Sequence, residues 1–285
     1  MKKKIKYFFE AIIIYSFFLI AKFTGIKLSR IFFSFVFKKV GPFFRPNKTI
    51  IKNILKFSNS ISDQKKKEII DSMWSNYGMT FVEYLFLEKF KKDNSHIKIE
   101  GEAILEQISR DRKPVIFISG HFANFELMSM EITKKNINLA TIYRPLNNFF
   151  LNPFMEYLRK KYVCKNQIKK GIKGVKVAIE YIKNKHSIAL MIDQRVSEGK
   201  KIKFFDEDAL TTTLPAQLAL KYNLDIVPIF IERENNNFFK MQVSDRIQTS
   251  QFKNKFELSI KLNQILENMI RKNPKQWIWT HDRWK

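Results

Sequence analysis

From about residue 97 onward, short apolar runs alternate with amphipathic stretches, and this alternation constrains the fold more than any other feature of the chain. Residues 115–118 read as a buried strand, and 122–136 as a helix with one apolar face. Residues 139–143 read as a second strand, 148–161 and 174–184 as helices, and 188–193 as a third strand. A helix over 214–222, a strand over 226–231, its antiparallel neighbour over 239–243 and a long amphipathic helix over 253–272 complete the pattern. Strands alternating with helices predict an α/β fold, a mostly parallel sheet flanked by helices. No repeat or linker divides the region. Ahead of it, Ile50, Ile51, Ile54 and Leu55, and then an apolar series from Met73 to Phe86, recur at helical spacing. Residues 46–96 therefore read as a helical layer packed on the sheet.

Ligands of open parallel sheets bind beyond the C-terminal strand ends. There the first strand runs into Gly120 and His121. The second runs into Tyr143, Arg144 and Pro145, with Asn147 and Asn148 beyond, and the third into Asp193, Gln194 and Arg195. Convergence of such residues at one sheet edge makes a candidate site. Glu126 stands five positions after His121. On a continuous helix those positions would point about 140° apart. They meet only if His121 lies in the turn before the helix, which Gly120 permits. Glu126 then falls in the first helical turn, where the helix dipole favours a carboxylate. A histidine oriented by a carboxylate is a general base. The plainer alternative is a solvated loop histidine beside a favourable first-turn charge.

Other chemistries find little support. There is no Gly-x-Ser-x-Gly nucleophile elbow, and Gly171 and Gly174 form no nucleotide-binding fingerprint. The single cysteine, Cys164, excludes an intrachain disulfide and has no base beside it, so it reads as structural. The four histidines lie far apart without zinc-site spacing, and no metal is expected. His96 and His186 read as surface residues. The stretch WIWTHDRWK, residues 277–285, holds three tryptophans around His-Asp-Arg. It is expected to pack back on the domain with Asp282 paired to a nearby base, or to frame the site or touch a membrane interface.

At the other end, residues 11–21 are apolar and uninterrupted, bounded by Glu10 and Lys22. That is shorter than the roughly 20 residues a spanning helix needs. Residues 7–26 reach that length only if Glu10 and Lys22 snorkel to the interfaces. A cleaved signal peptide is the rival reading, although no convincing small-x-small site follows. A second apolar run, 31–37, sits among Arg30, Lys38 and Lys39, a mixture suited to a membrane interface. Residues 1–45 are thus expected to attach the chain to a membrane, spanning or interfacial, with 46–285 as the catalytic domain. The formal charge of +25, from 52 basic and 27 acidic residues, favours polyanionic partners such as nucleic acid, anionic lipid or an acidic protein. A composition rich in Lys, Ile, Asn and Phe accounts for much of it without any partner.

Taken together, GHFANFE, YRPLNN, DQR followed by GKKIKFFDEDALTTTLPAQLA, VPIFIER and WIWTHDRWK resemble the bacterial lipid A biosynthesis acyltransferases, the late lauroyl/myristoyl acyltransferase family. The motifs occur in the family's order from about residue 100 onward, the apolar N-terminus fits as well, and the resemblance implies a glycerolipid-acyltransferase-like fold. The resemblance implies transfer of a fatty acyl chain from an acyl-carrier-protein thioester to a hydroxyl of a 3-hydroxyacyl chain on a lipid A precursor. It implies His121 as the base and Glu126 as the carboxylate that holds it. Arg144 would bind a phosphate or the developing oxyanion, and Asp193, Gln194 and Arg195 would position substrate. Thr213, at a helix start, would help offer backbone N–H groups to an anion. No cofactor beyond the thioester is implied. Location at the bacterial inner membrane, with the site on the cytoplasmic face, is implied as well. The family pattern usually has glycine where Asp206 stands, which puts the loop conformation there in question. The alternatives are another glycolipid or lysophospholipid acceptor and, in a different class, a membrane-tethered nucleic-acid-binding protein. No zinc finger, RNA-recognition or helix-turn-helix signature supports the latter, so no nucleic-acid partner is expected.

Overall fold

In the computed structural model, which describes residues 2–45, 47–235 and 237–285, the alternation becomes a seven-stranded sheet. The chain begins with α1 (Lys2–Phe44), α2 (Asn47–Phe57), α3 (Asp63–Glu83) and α4 (Leu87–Lys92). Then come β1 (Ile97–Glu100), α5 (Glu102–Asp111), β2 (Ile116–Ser119), α6 (Glu126–Lys134), β3 (Leu139–Tyr143) and α7 (Asn152–Leu158). A π-helical turn over 159–163 leads to β4 (Asn166–Lys169), α8 (Ile172–Lys183) and β5 (Ser187–Met191). A hairpin of β6 (Lys200–Phe204) and β7 (Glu207–Thr211) precedes α9 (Leu214–Tyr222), β8 (Ile226–Glu234), β9 (Phe238–Val243) and α10 (Lys255–Lys272). The sheet order is β1-β9-β8-β2-β5-β3-β4, parallel throughout except where β8 meets β9. β2 lies at its centre and is buried along its whole length, as an apolar strand covered on both faces must be.

Three differences from the expected elements have local causes. The helix expected over 122–136 begins only at Glu126, because Ala123 takes a left-handed conformation with φ 43°. The turn is thus made at Ala123 and not by a left-handed Gly120. The strand β4 and the β6–β7 hairpin lack apolar runs. β4 is the sheet's polar edge, and β6 alternates exposed lysines with buried Ile202 and Phe204. The hairpin's two turn residues, Phe205 and Asp206, have φ 50° and 61°. Asp206 therefore adopts the conformation that suits glycine, which aspartate tolerates through its short polar side chain.

The N-terminal apolar segment is broken at Gly25, whose φ of 77° and ψ of 168° no other residue type adopts cheaply. Its two arms, 2–24 and 26–44, fold back on each other. The Phe17 and Phe33 rings lie 5.9 Å apart, and the Ser29 hydroxyl donates to the Ala21 carbonyl at 3.1 Å, satisfying a group that the break frees. The second arm packs on α3 so closely that a Cβ on Gly78 would meet the Phe33 carbonyl oxygen at 2.1 Å. The Phe81 ring sits against Phe18, Phe33 and Phe37.

A buried ionic cluster locks this arrangement. Glu83, at the end of α3, is fully buried. It accepts Arg30 Nε from the second arm at 2.7 Å, Arg233 Nη2 from β8 at 3.0 Å and Asn124 Nδ2 from the turn before α6 at 2.9 Å. Burial pushes the Glu83 carboxyl up, but the Arg233 and Arg30 charges and these bonds outweigh it and hold it below the ordinary range. A depressed carboxyl contributes stability above the ordinary Glu range and loses it as pH falls through the depressed value. Glu83→Gln is expected to cost about 3–5 kcal/mol by leaving buried guanidinium charge uncompensated. It should also remove that acid-dependent component. Thermal unfolding of both proteins in one detergent across an acid pH series measures both effects.

Candidate active site

β2 and β5 are adjacent and parallel, with Ser119 opposite Met191. The pairing continues past the strand ends, where Ile192 N donates to the Ser119 carbonyl at 2.9 Å. Two residues on, this register sets His121 beside Asp193. His121 Nδ1 lies 2.8 Å from Asp193 Oδ1, and the His121 backbone N–H donates to Asp193 Oδ2 at 2.8 Å. Trp277 Nε1 donates to the same Oδ2 at 2.9 Å. Asp193 is buried, which on its own raises its pKa. The adjacent His121 ring and the bonds from His121 and Trp277 more than offset this and hold the group below the usual carboxylate range. An ionised Asp193 requires the proton on His121 Nδ1, leaving the Nε2 lone pair free. His121 remains partly exposed, and Nε2 makes no hydrogen bond among the described residues.

The expected pairing of His121 with Glu126 is not what the structure contains. Because α6 starts at Glu126, after the irregular 122–125 turn, this carboxylate faces the π-helical turn instead. Its Oε1 accepts Arg159 Nε at 2.8 Å and the Tyr84 hydroxyl, and all three side chains are buried. Burial lowers the Arg159 pKa, yet the Glu126 and Tyr84 contacts reverse this, so the guanidinium stays charged. The carboxylate that His121 meets comes from a strand 72 residues away in sequence.

The 277–285 stretch closes the site. Phe122 and Trp277 form an antiparallel bridge, and Ala123 N donates to the Gln276 carbonyl at 3.3 Å. Thr80 and Asn76 of α3 donate to the Ala123 carbonyl at 2.9 and 3.3 Å, fixing the left-handed turn. His281 Nε2 accepts Arg195 N at 2.9 Å. Burial first, then the charges of Arg283, His121 and Lys170, push its pKa down against the pull of Asp193, so this second imidazole stays neutral. The expected partner for Asp282 is absent, since its Oδ1 is buried without a hydrogen bond among the described residues. The folded-back segment is secured instead by Arg283, which donates to the Leu210 carbonyl and the Thr211 hydroxyl at 2.9 and 2.8 Å.

The other expected residues divide into two groups. Arg144 follows β3 directly, is exposed, and has no ion pair among the described residues. On the neighbouring strand end, Lys170 N donates to the Tyr143 carbonyl at 2.8 Å. Burial and then the Arg144 charge lower the Lys170 pKa, a cation that sequence reading passed over. Gln194 and Arg195 are half-buried just beyond Asp193, and Arg195 Nε is buried without a partner among the described residues. The strand ends thus present His121, Asp193, Arg144 and Lys170 in the order β2, β5, β3, β4. Thr213 does not join them. Its hydroxyl accepts Gln217 Nε2 at 2.8 Å, and the Leu214 N–H is taken by Thr212. Pro215 has no N–H, so this helix start is largely closed to an anion. His96, expected at the surface, is buried between Phe90 and Phe239. Cys164 is buried, with its thiol 3.2 Å from the Leu139 carbonyl.

The model of one family, bacterial lipid A biosynthesis acyltransferase, matches residues 2–285. The crystal structure of the 1-acyl-sn-glycerophosphate (LPA) acyltransferase PlsC from Thermotoga maritima matches at 14% identity and a TM-score of 0.41, covering 89% of this chain and 100% of that one. No curated protein matches the chain.

If Asp193 sets the His121 tautomer, Asp193→Asn should lower turnover about 10²–10⁴-fold. Glu126→Gln should instead lower the melting temperature, by unpairing Arg159, and keep turnover within a few fold where the protein stays folded. Steady-state rates below each variant's melting transition separate the two carboxylates.

Proposed function

The chain belongs to the bacterial lipid A biosynthesis acyltransferases, and we propose that it carries a fatty acyl chain from an acyl-carrier-protein thioester to a hydroxyl of a 3-hydroxyacyl chain on a lipid A precursor. The observation that carries this reading is His121, held by an ionised Asp193 with Nε2 unengaged at the sheet edge. A hydroxyl placed at Nε2 gives up its proton as its oxygen attacks the thioester carbonyl carbon. The resulting imidazolium stands against the buried Asp193 carboxylate, which stabilises it. The tetrahedral oxyanion then collapses, the carbon–sulfur bond breaks, and the thiolate takes the proton back from Nε2. The ester and the free carrier thiol leave together with the base regenerated. The scheme needs no metal or organic cofactor beyond the thioester.

Arg144 supplies the charge for an anionic group of the substrates, either a phosphate or the oxyanion, and Lys170 adds a second cation beside it. Gln194 and Arg195 position the acceptor. A strongly basic surface speeds encounter with an acidic carrier protein and with a phosphorylated glycolipid. The cytoplasmic face of the inner membrane is where both substrates meet. The two arms of α1 suit an interfacial seat better than a single span. The chain reverses at Gly25, and both arms lie along the catalytic domain while Ile13, Ile20, Phe23 and Ile31 stay exposed.

His121→Ala should cut acyl transfer about 10²–10⁴-fold with the circular dichroism unchanged. Near-normal activity on an acyl-carrier-protein donor would remove it from the mechanism. Arg144→Lys keeps the charge but loses the planar fork that binds two oxygens. It should lower turnover well beyond twofold at an unchanged melting temperature, and parity with wild type would place Arg144 outside the site. Mass spectrometry of lipid A from cells lacking the gene should show a species short of one acyl chain. An unaltered lipid A with altered phospholipids would assign a different acceptor.

A further inference from the structure

We propose that the loop joining β3 to α7, residues 146–150, is a membrane-penetrating lip of the catalytic domain itself, over which a bilayer lipid reaches the site. The proposal rests on the membrane seating of the N-terminal arms given above, and it extends that seat to a part of the chain no anchor reading includes.

The loop is apolar where a connecting loop is ordinarily polar. Leu146, Phe149 and Phe150 are 39%, 46% and 38% exposed. They are not separate surface residues but the edge of a larger apolar face. The Phe149 ring lies 6.0 Å from that of Tyr7, and the Phe150 ring 5.5 Å from that of Phe8, both on the first arm of α1. The arm continues this surface through Ile5, Phe9 and Ile12, each at least 45% exposed.

The backbone of the loop is compatible with this seat. A segment entering lipid must satisfy its own polar groups, because the hydrocarbon offers no partners. Here Leu146 N donates to Asn152 Oδ1 at 2.8 Å, and Phe150 N to Asn148 Oδ1 at 3.0 Å. The Phe150 carbonyl accepts the Tyr15 hydroxyl at 2.9 Å, and Leu151 N donates to the Asn148 carbonyl at 3.2 Å. The Asn148 side chain in turn donates to the Tyr7 carbonyl at 2.8 Å, pinning loop to arm. Bonds of this kind also occur in aqueous loops; here they lower the cost of seating the loop at a lipid interface, where the N–H groups of Asn147, Asn148 and Phe149, unbonded among the described residues, still meet headgroup water.

The lip is two residues from Arg144, a reach of at most about 7 Å of extended chain. With Phe149 and Phe150 among the acyl chains, the unpaired Arg144 guanidinium comes to the headgroup plane, where phosphates lie. The acceptor then approaches sideways, keeping its chains in the bilayer while its polar part passes Arg144 toward His121.

The test places an environment-sensitive fluorophore (NBD) on single cysteines in a Cys164→Ser background of the full chain. The positions are Phe149→Cys on the lip, Ile13→Cys on the first arm and Glu106→Cys on α5 as the aqueous reference. Protein is bound to phosphatidylethanolamine/phosphatidylglycerol vesicles with and without lipids spin-labelled near the headgroup end of the acyl chain. The probe at 149 should be blue-shifted and quenched as strongly as the probe at 13, with the probe at 106 unaffected. A probe at 149 that behaves like the one at 106, while 13 is quenched, overturns the lip and leaves the anchor standing. If 13 and 149 are both aqueous, the membrane seat and the lip fall together. These readings do not depend on activity, so a failure of the acyltransfer reading is seen separately. The double variant Leu146→Asp, Phe149→Asp should raise KM about tenfold or more for an acceptor embedded in vesicles, and change KM and kcat less than twofold for acceptor dispersed in detergent. An equal loss in both forms would mark the loop as merely structural.

Discussion

A single carboxylate without solvent holds the parts of this molecule in one frame. Glu83 joins the second N-terminal arm through Arg30, the sheet through Arg233 and the turn before α6 through Asn124. Arg233 in turn reaches Asn76 and Thr80, the side chains that fix the Ala123 carbonyl two residues from His121. A buried ion cluster of this kind adds less net stability than its contact list suggests, because each charge has lost its hydration. Its effect is on uniqueness. Any other docking of the arms would leave a buried charge without a partner, so arm, sheet and turn share one relative position.

Much of the fold was legible in the sequence because most of its elements carry strong periodic patterns. The central strands β2, β5 and β8 are apolar runs, and α9 and α10 have clear boundaries. The fold positions His121, Asp193 and Arg144 at neighbouring strand ends, as the alternation of strands implies. What escaped was nonlocal. His121 has a carboxylate nearby in sequence and another 72 positions away, and spacing draws attention to the first. The second could have been found by asking which strands are central. β2, β5 and β8 are the apolar strands, hence neighbours at the core, and parallel neighbours present equivalent end residues side by side. Trp277 and Glu83 left no such trace. A tryptophan that donates to a carboxylate and one that fills a core look identical in sequence.

The two acidic residues near His121 show how position divides similar chemistry. Asp193 accepts from two N–H donors besides the imidazole, so it stays ionised and sets one tautomer. Glu126 is bound into an Arg159–Tyr84 cluster at the π-helical turn, where a guanidinium already neutralises it. A carboxylate so satisfied has little left to offer an imidazolium. Its value lies in tying the start of α6 to Tyr84 and to the turn that follows α7.

The contact between Trp277 and Asp193 also has a temporal side. A polypeptide is made from its N-terminus, and the apolar arms emerge first, long before the segment that supplies Trp277. Until residues 276–281 have emerged and folded back, Asp193 lacks its indole donor, the Ala123 amide lacks its acceptor and Arg195 lacks the His281 ring. The N-terminal arms can therefore fold while the His121–Asp193 pair still lacks its support, and that pair is fully framed only once the tryptophans have folded back.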